Sequence, residues 1–212
     1  MKLPSPLYVI LDRSVARGRT LPELLEAVLA GGCRMVQLRE KAMPLSELFP
    51  VAQVLRRRSR EAGALFIVND RADLALALDA DGLHLGQDDL PGIAGRRLLR
   101  PGMILGVSTH DAGQARRALA DGADYIAVGS MFPTGTKPGF QLVGPDLIRR
   151  VRPEIAIPLV AIGGITEDNC EEVVSAGADA VAVISAVCAA ADPETATRRF
   201  LERLAGAASR PR

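Results

Sequence analysis

Eight short β-branched runs, separated by longer amphipathic stretches, limit the possible fold of this chain more than any other feature. The runs are Leu7–Leu11, Arg34–Leu38, Leu65–Val68, Gly82–Leu85, Ile104–Val107, Tyr125–Val128, Leu159–Ile162 and Ala180–Ile184. Helical periodicity fills the intervals at Leu21–Ala30, Leu45–Ala62, Asp111–Asp121, Pro145–Val151, Glu167–Ala176 and Pro193–Leu204, with short stretches near Ala72–Leu78 and Leu90–Leu98. Strands that alternate with helices pair in parallel, because each helix supplies the crossover a parallel strand needs. A similar phrase precedes four of the runs: Ala30–Gly31–Gly32, Asp79–Ala80–Asp81–Gly82, Asp121–Gly122–Ala123–Asp124 and Ala176–Gly177–Ala178–Asp179. Glycine past a helix end supplies a left-handed cap, and the small residue after it allows a tight turn into the strand. Its recurrence reads as one structural unit repeated. Eight units closing on themselves predict an α/β fold, a single-domain (β/α)8 TIM barrel over residues 1–212. An open doubly wound sheet would carry its phosphate loop at the first βα turn, and Leu11–Asp12–Arg13–Ser14 is no such loop.

A chain of 212 residues holds one well-packed domain and is short for two. Its net charge of +1, with no basic block interleaved with aromatics, argues against a nucleic-acid partner. The local cluster Arg56–Arg57–Arg58–Arg60 falls on a helical pattern and reads as a solvated helix face. Cys33, Cys170 and Cys188 are widely spaced and lack metal-ligand spacing, so they read as reduced, packed thiols. No apolar run is long enough to cross a bilayer, and Met1–Pro6 has no signal-peptide layout. The expectation is a cytoplasmic protein with no membrane partner; the sequence leaves the oligomeric state open, a homo-oligomer included.

Barrel active sites form at the C-terminal ends of the strands, so the chemistry-bearing residues are expected at those ends. The second strand ends Gln37–Leu38–Arg39–Glu40–Lys41. Alternation sends Gln37, Arg39 and Lys41 one way and Leu38 the other. A Gln and an Arg inside a barrel are costly unless they meet an anion. A buried Arg paired with an acidic neighbour is the alternative, and the motif alone leaves both open. Asp70 follows the third strand and Asp89 the fourth, where two hard oxygen ligands suit Mg²⁺. Helix capping is the commoner job for such aspartates; the basic ladder on the adjacent strand favours the metal.

The loop Gly129–Gly139 after the sixth strand combines glycines, hydroxyls and Lys137, the parts of a phosphate cradle. A plain surface loop is its bland alternative. Gly163–Gly164 and Ile184–Ser185 end the last two strands, where barrels frequently bind phosphate. His84 reads as a core histidine. His110, at the barrel mouth, ranks behind Ser108 as a substrate contact.

Taken together, these strand ends resemble the thiamine phosphate synthase family. The matching segments are Gln37–Lys41, Asn69–Asp70, His84–Gln87 with Asp89, Gly106–Ser108, Pro133–Lys137, Ile162–Ile165 and Ile184–Ser185, in the family's order from about Leu7 to Ala191. The resemblance implies a transferase that joins a hydroxymethylpyrimidine pyrophosphate to a thiazole phosphate and releases pyrophosphate. It implies that Gln37, Arg39, Lys41 and Asn69 hold the pyrimidine pyrophosphate, with Leu38 and Glu40 in the same segment. It also implies Mg²⁺ on Asp70 and Asp89, Ser108 against the pyrimidine, and Lys137 on the pyrophosphate. Thr134, Gly135 and Thr136, with backbone from Gly164, Ile184 and Ser185, would hold the thiazole phosphate. Arg39, Lys41, Ser108 and Lys137 are the implied catalytic set. The sequence departs from the family pattern beside these contacts, with Leu11 before Asp12–Arg13 where Thr is expected and Asp88 where Glu is common. Pro138–Gly139 likewise follows Lys137 where a polar or acidic residue is frequent. Two rivals remain: a thiazole tautomerase of the same superfamily using His110 as acid–base group, and a non-catalytic paralogue that binds thiamine precursors.

Overall fold

The computed structural model of the chain describes residues 2–135 and 141–208. Among them, eight strands close a parallel barrel in sequence order. The first half runs β1 (Leu7–Asp12), α1 (Leu21–Ala30), β2 (Met35–Arg39), α2 (Leu45–Glu61), β3 (Leu65–Asn69), α3 (Ala72–Ala77), β4 (Gly82–Leu85) and α4 (Gly92–Leu98). The second half runs β5 (Ile104–Thr109), α5 (Ala112–Ala120), β6 (Tyr125–Val128), α6 (Pro145–Val151), β7 (Leu159–Ile162), α7 (Cys170–Ser175), β8 (Ala180–Val183), α8 (Ser185–Cys188) and α9 (Pro193–Ala208). The expected strands all form, displaced by at most two residues at an end. The sequence pattern did not predict α8, since one turn is too short to show a helical period.

Alternation along the strands sorts the apolar residues into two clusters. Outward positions such as Val9, Val36, Leu83, Leu105 and Val181 pack under the helices in the larger cluster. Inward positions fill the barrel with Tyr8, Ile10, Met35, Ile67, Tyr125, Ala127, Val160, Ala180 and Ala182. The barrel is thus a packed core at its base, and only the mouth is left open for a ligand. The three cysteines are buried and unpaired, as their spacing suggested.

The repeated phrase before the strands proves to be a bracket at the barrel base. Asp81, Asp124 and Asp179 each accept a hydrogen bond from a backbone N–H of the preceding strand, at Phe66, Leu105 and Leu159, all at 2.8 Å. Each also pairs with an arginine from the helical segment before that strand: Arg56, Arg96 and Arg152. The left-handed residue is glycine at Gly32, Gly122 and Gly177, but in the second phrase it is Asp79. Gly82, the last residue of that phrase, is the first residue of β4, as its run predicts, and a side chain there would collide with Ile104. The arginine cluster of α2 is likewise paired: Arg56 with Asp81, Arg57 with Glu61, Arg58 with Glu26 and Arg60 with Asp79.

Asp81 to Ala tests the bracket. Arg56 grips Asp81 with two nitrogens, at 2.8 and 2.9 Å, and both would lose their partner together with the Phe66 N–H. Loss of charge-assisted bonds of this kind costs about 2–3 kcal/mol. Urea unfolding should show that loss, with turnover of the folded fraction unchanged.

Candidate active site

The C-terminal ends of the strands surround an open cavity of about 740 Å³. On one side stand Gln37, Arg39, Lys41, Asn69, Asp70 and Asp89; on the other, Thr134, Gly135, Gly164, Ile184 and Ser185, with Ser108 also in the lining. Thr136 and Lys137 lie outside the described residues.

Register explains the first side. Asp12 and Arg39 are partners across β1 and β2, and the Arg39 guanidinium pairs with the Asp12 carboxylate, which is almost completely buried. Asp12 also accepts hydrogen bonds from the Ser14 backbone and hydroxyl. Arg39 is thus paired with a buried acid, one of the two readings its motif left open, and it also lines the cavity. Gln37 lies two residues deeper and donates from Nε2 to the Tyr8 hydroxyl at 2.6 Å. Leu38 points outward into the packing beneath the helices, as alternation requires. Glu40 turns away too: it accepts from Arg13 and from the backbone N–H groups of Ala42 and Met43, which hold its carboxyl below the usual range. The side chains of Leu38 and Glu40 thus stand apart from the cavity.

Asp70 and Asp89 do not cap helices. The N-cap positions of α3 and α4 are taken by Arg71 and Pro91. Asp70 adopts a left-handed backbone, φ 61°, which Asp tolerates better than most residues. Its N–H still bonds the His84 carbonyl at 2.8 Å, continuing the ladder past the end of β3. Its carboxylate lies 2.8 Å from Lys41 Nζ. Asp89 accepts from the Gly86 N–H at 2.7 Å. Burial, and then the neighbouring Asp70 carboxyl within hydrogen-bonding reach, push the Asp89 carboxyl above the usual range. Two carboxyl groups this close favour a proton or a cation beside them, and the Lys41 ammonium supplies one positive charge at Asp70. Among the described residues no group of three or more His, Cys, Asp or Glu gathers into a metal site. A two-carboxylate site beside an open cavity is the donor set Mg²⁺ takes when waters and phosphate oxygens complete its shell.

Inside the mouth, His84 is a satisfied core histidine, but it also touches the site. Its Nδ1 is 2.8 Å from the Tyr125 hydroxyl and its Nε2 is 2.8 Å from Ser108 Oγ. Burial holds its pKa down at about 4, so the ring is neutral. Gln87 donates to the Ser108 carbonyl at 2.6 Å and steadies the end of β5. His110 Nδ1 sits 2.6 Å from the Gly129 carbonyl and must donate to it, which leaves Nε2 unprotonated while the ring is neutral. Tyr8, Tyr125 and Asp12 escaped the sequence reading. Their signal was a pair of hydroxyls and a carboxylate on strands otherwise filled with aliphatic residues.

The second side is built mainly from backbone. Gly163 and Gly164 are both left-handed, and a side chain at Gly164 would strike the carbonyl oxygens of Phe132 and Pro133. The glycines thus let the loop after β6 lie against the end of β7, where the Phe132 N–H donates to the Gly163 carbonyl at 3.0 Å. Beyond β8 the chain enters α8 at Ser185. A short extra helix after the last strand is a recurrent part of phosphate sites in barrels.

A closed parallel barrel with cationic, paired-carboxylate and backbone-lined surfaces around one mouth defines an enzyme that handles phosphorylated small molecules. The family described as thiamine monophosphate synthase matches residues 7–187. A thiamine-phosphate synthase of Moorella thermoacetica is 50% identical over 197 residues, covering 92% of this chain and 94% of that protein. One of Methanoculleus marisnigri is 45% identical over 205 residues, covering 95% and 96%. The solved thiamine phosphate pyrophosphorylase of Pyrococcus furiosus superposes with a TM-score of 0.88 at 39% identity, covering 95% of this chain and 96% of that one. The chain belongs to the thiamine monophosphate synthase family.

Proposed function

We infer that the protein is a thiamine-phosphate synthase, a transferase that condenses an aminohydroxymethylpyrimidine pyrophosphate with a thiazole phosphate. The observation that carries this reading is the asymmetry of the cavity. Asp70 and Asp89 converge beside Arg39 and Lys41 on one side, and glycine-rich backbone lines the other. A departing pyrophosphate gains negative charge as its bond to carbon breaks, so cations must meet it there. A phosphate monoester that only anchors its substrate needs N–H groups and hydroxyls.

In this reading Gln37 and Asn69 orient the pyrimidine pyrophosphate, and Arg39, Lys41 and Lys137 neutralise the leaving group. Asp70 and Asp89 would hold Mg²⁺, which when bound supplies further positive charge to the pyrophosphate oxygens. The benzylic-type carbon loses pyrophosphate, the electron-rich aminopyrimidine ring spreads the resulting positive charge, and the thiazole nitrogen donates its electron pair to that carbon. No protein nucleophile is required, in keeping with buried cysteines whose thiol pKa values are raised by burial. Thr134, Gly135 and Thr136 with Gly164, Ile184 and Ser185 would anchor the thiazole phosphate. A cytoplasmic location fits small phosphorylated substrates, and no helix among the described residues is long and apolar enough to cross a membrane.

The test is to incubate the protein with both substrates and Mg²⁺, and separately with the carboxylated thiazole phosphate alone. Equal amounts of thiamine phosphate and pyrophosphate are expected from the first mixture and no change in the second. Isomerisation in the second with no product in the first would make the protein a tautomerase; silence in both would make it a binding paralogue.

A further inference from the structure

Four hydrogen bonds run without a break through the barrel interior. Gln37 Nε2 donates to Tyr8 Oη at 2.6 Å, and Tyr8 Oη is 3.0 Å from Tyr125 Oη. Tyr125 Oη is 2.8 Å from His84 Nδ1, and His84 Nε2 is 2.8 Å from Ser108 Oγ. The two tyrosines are the only ones in the sequence, and both are buried inside the barrel, Tyr8 on β1 and Tyr125 on β6. Space for Tyr125 is reserved by Gly106, where a side chain would overlap the tyrosine ring. The ends of the chain, Gln37 and Ser108, both line the cavity; both tyrosines lie beneath it.

Each hydroxyl has one hydrogen, so the direction of the chain is set once one end is set. Tyr8 accepts from Gln37 and gives its own hydrogen to Tyr125. Tyr125 then gives its hydrogen to His84 Nδ1. A neutral His84 must therefore carry its proton on Nε2 and donate it to Ser108 Oγ. The Ser108 hydrogen is left to point into the cavity, and the Gln37 carbonyl oxygen is left as an acceptor.

We propose that Tyr8, Tyr125 and His84 form a directional relay that presents Gln37 as an acceptor and Ser108 as a donor, selecting an aminopyrimidine over its oxo analogue. The proposal rests on the synthase reading for the identity of the ring. An exocyclic amino group donates to Gln37, and an unprotonated ring nitrogen accepts from Ser108. A 4-oxo ring opposes its carbonyl oxygen to the Gln37 oxygen and cannot be matched unless every bond in the relay reverses. Buried polar groups set for one pattern reject the opposite one because the misfit leaves them unpaired. Tyr8, Tyr125 and His84 are positioning residues in this scheme.

Two measurements test it. The chain has two histidines, so ¹⁵N-histidine NMR resolves His84 from His110 in the substrate-free protein. The expected His84 spectrum has a bare Nδ1 and a protonated Nε2; a proton on Nδ1 would reverse the relay and overturn the proposal. In Tyr125→Phe the Nδ1 signal should shift while His110 stays in place. The second measurement is calorimetric affinity for the aminopyrimidine pyrophosphate and its 4-oxo analogue. Preference for the amino form should fall about tenfold in Tyr125→Phe, and in Tyr8→Phe if the first variant folds poorly, with affinity for thiazole phosphate unchanged. An unaltered preference would remove the relay from specificity. If neither pyrimidine binds, the synthase reading fails and the specificity claim falls with it, whereas the His84 tautomer still reports on the relay.

Discussion

Replacing Asp70 and Asp89 together with alanine is expected to lower turnover about a thousandfold and abolish its response to Mg²⁺, while the fold survives. The reason lies in what these carboxylates do not do. Neither bonds the start of a helix, so no cap is lost. Asp70 meets the exposed Lys41 at 2.8 Å, and an exposed ion pair contributes little to stability. Asp89 meets the Gly86 N–H, whose loss costs about 1 kcal/mol, partly offset by removing two acids that crowd one another. Mg²⁺ titrations of turnover, beside urea unfolding of the same variant, check this. A variant that unfolds easily but keeps normal Mg²⁺-dependent turnover would return both residues to a structural role.

Arg39→Ala should damage stability and rate together, and Arg39→Lys should separate them. Alanine leaves the Asp12 carboxylate buried with Ser14 as its remaining side-chain partner, a loss of about 3 kcal/mol for a broken buried pair. It also removes a cation from the side of the cavity proposed to take the leaving group, an expected loss of about a hundredfold in rate. Lysine restores a charge for Asp12 but lacks the fork that reaches Asp12 and the cavity at once. It should recover most of the unfolding midpoint and only part of the single-turnover rate. Full recovery of the rate would confine Arg39 to supporting Asp12, and unchanged turnover in the alanine variant would remove it from the chemistry.

How much of this was legible in the sequence follows from the range of the interactions. Eight strands could be read because alternation and helical period are local, and the inward face of β2 followed from the same alternation. Partners could not be read, because register brings together residues far apart: Gln37 meets Tyr8, His84 meets Tyr125, and Arg39 meets Asp12. The capping alternative for Asp70 and Asp89 was reasonable from spacing alone. It fails because Asp70 turns left-handed and the cap positions fall on Arg71 and Pro91. For Leu38 and Glu40 the matched segment says nothing of side-chain direction, which alternation and local hydrogen bonds set. The aspartates of the repeated phrase were visible as a repeat, but their bond to the previous strand appears only in three dimensions.

On the proposed reading one cavity holds two unlike anion sites, a cation-assisted one over β2 to β4 and a backbone one over β6 to β8. Calorimetric titration with inorganic pyrophosphate and with thiazole phosphate, each with and without Mg²⁺, measures that difference directly. Mg²⁺ should tighten pyrophosphate binding by at least about tenfold and leave thiazole phosphate binding unchanged. Equal Mg²⁺ dependence of both ligands, or none for either, would contradict it.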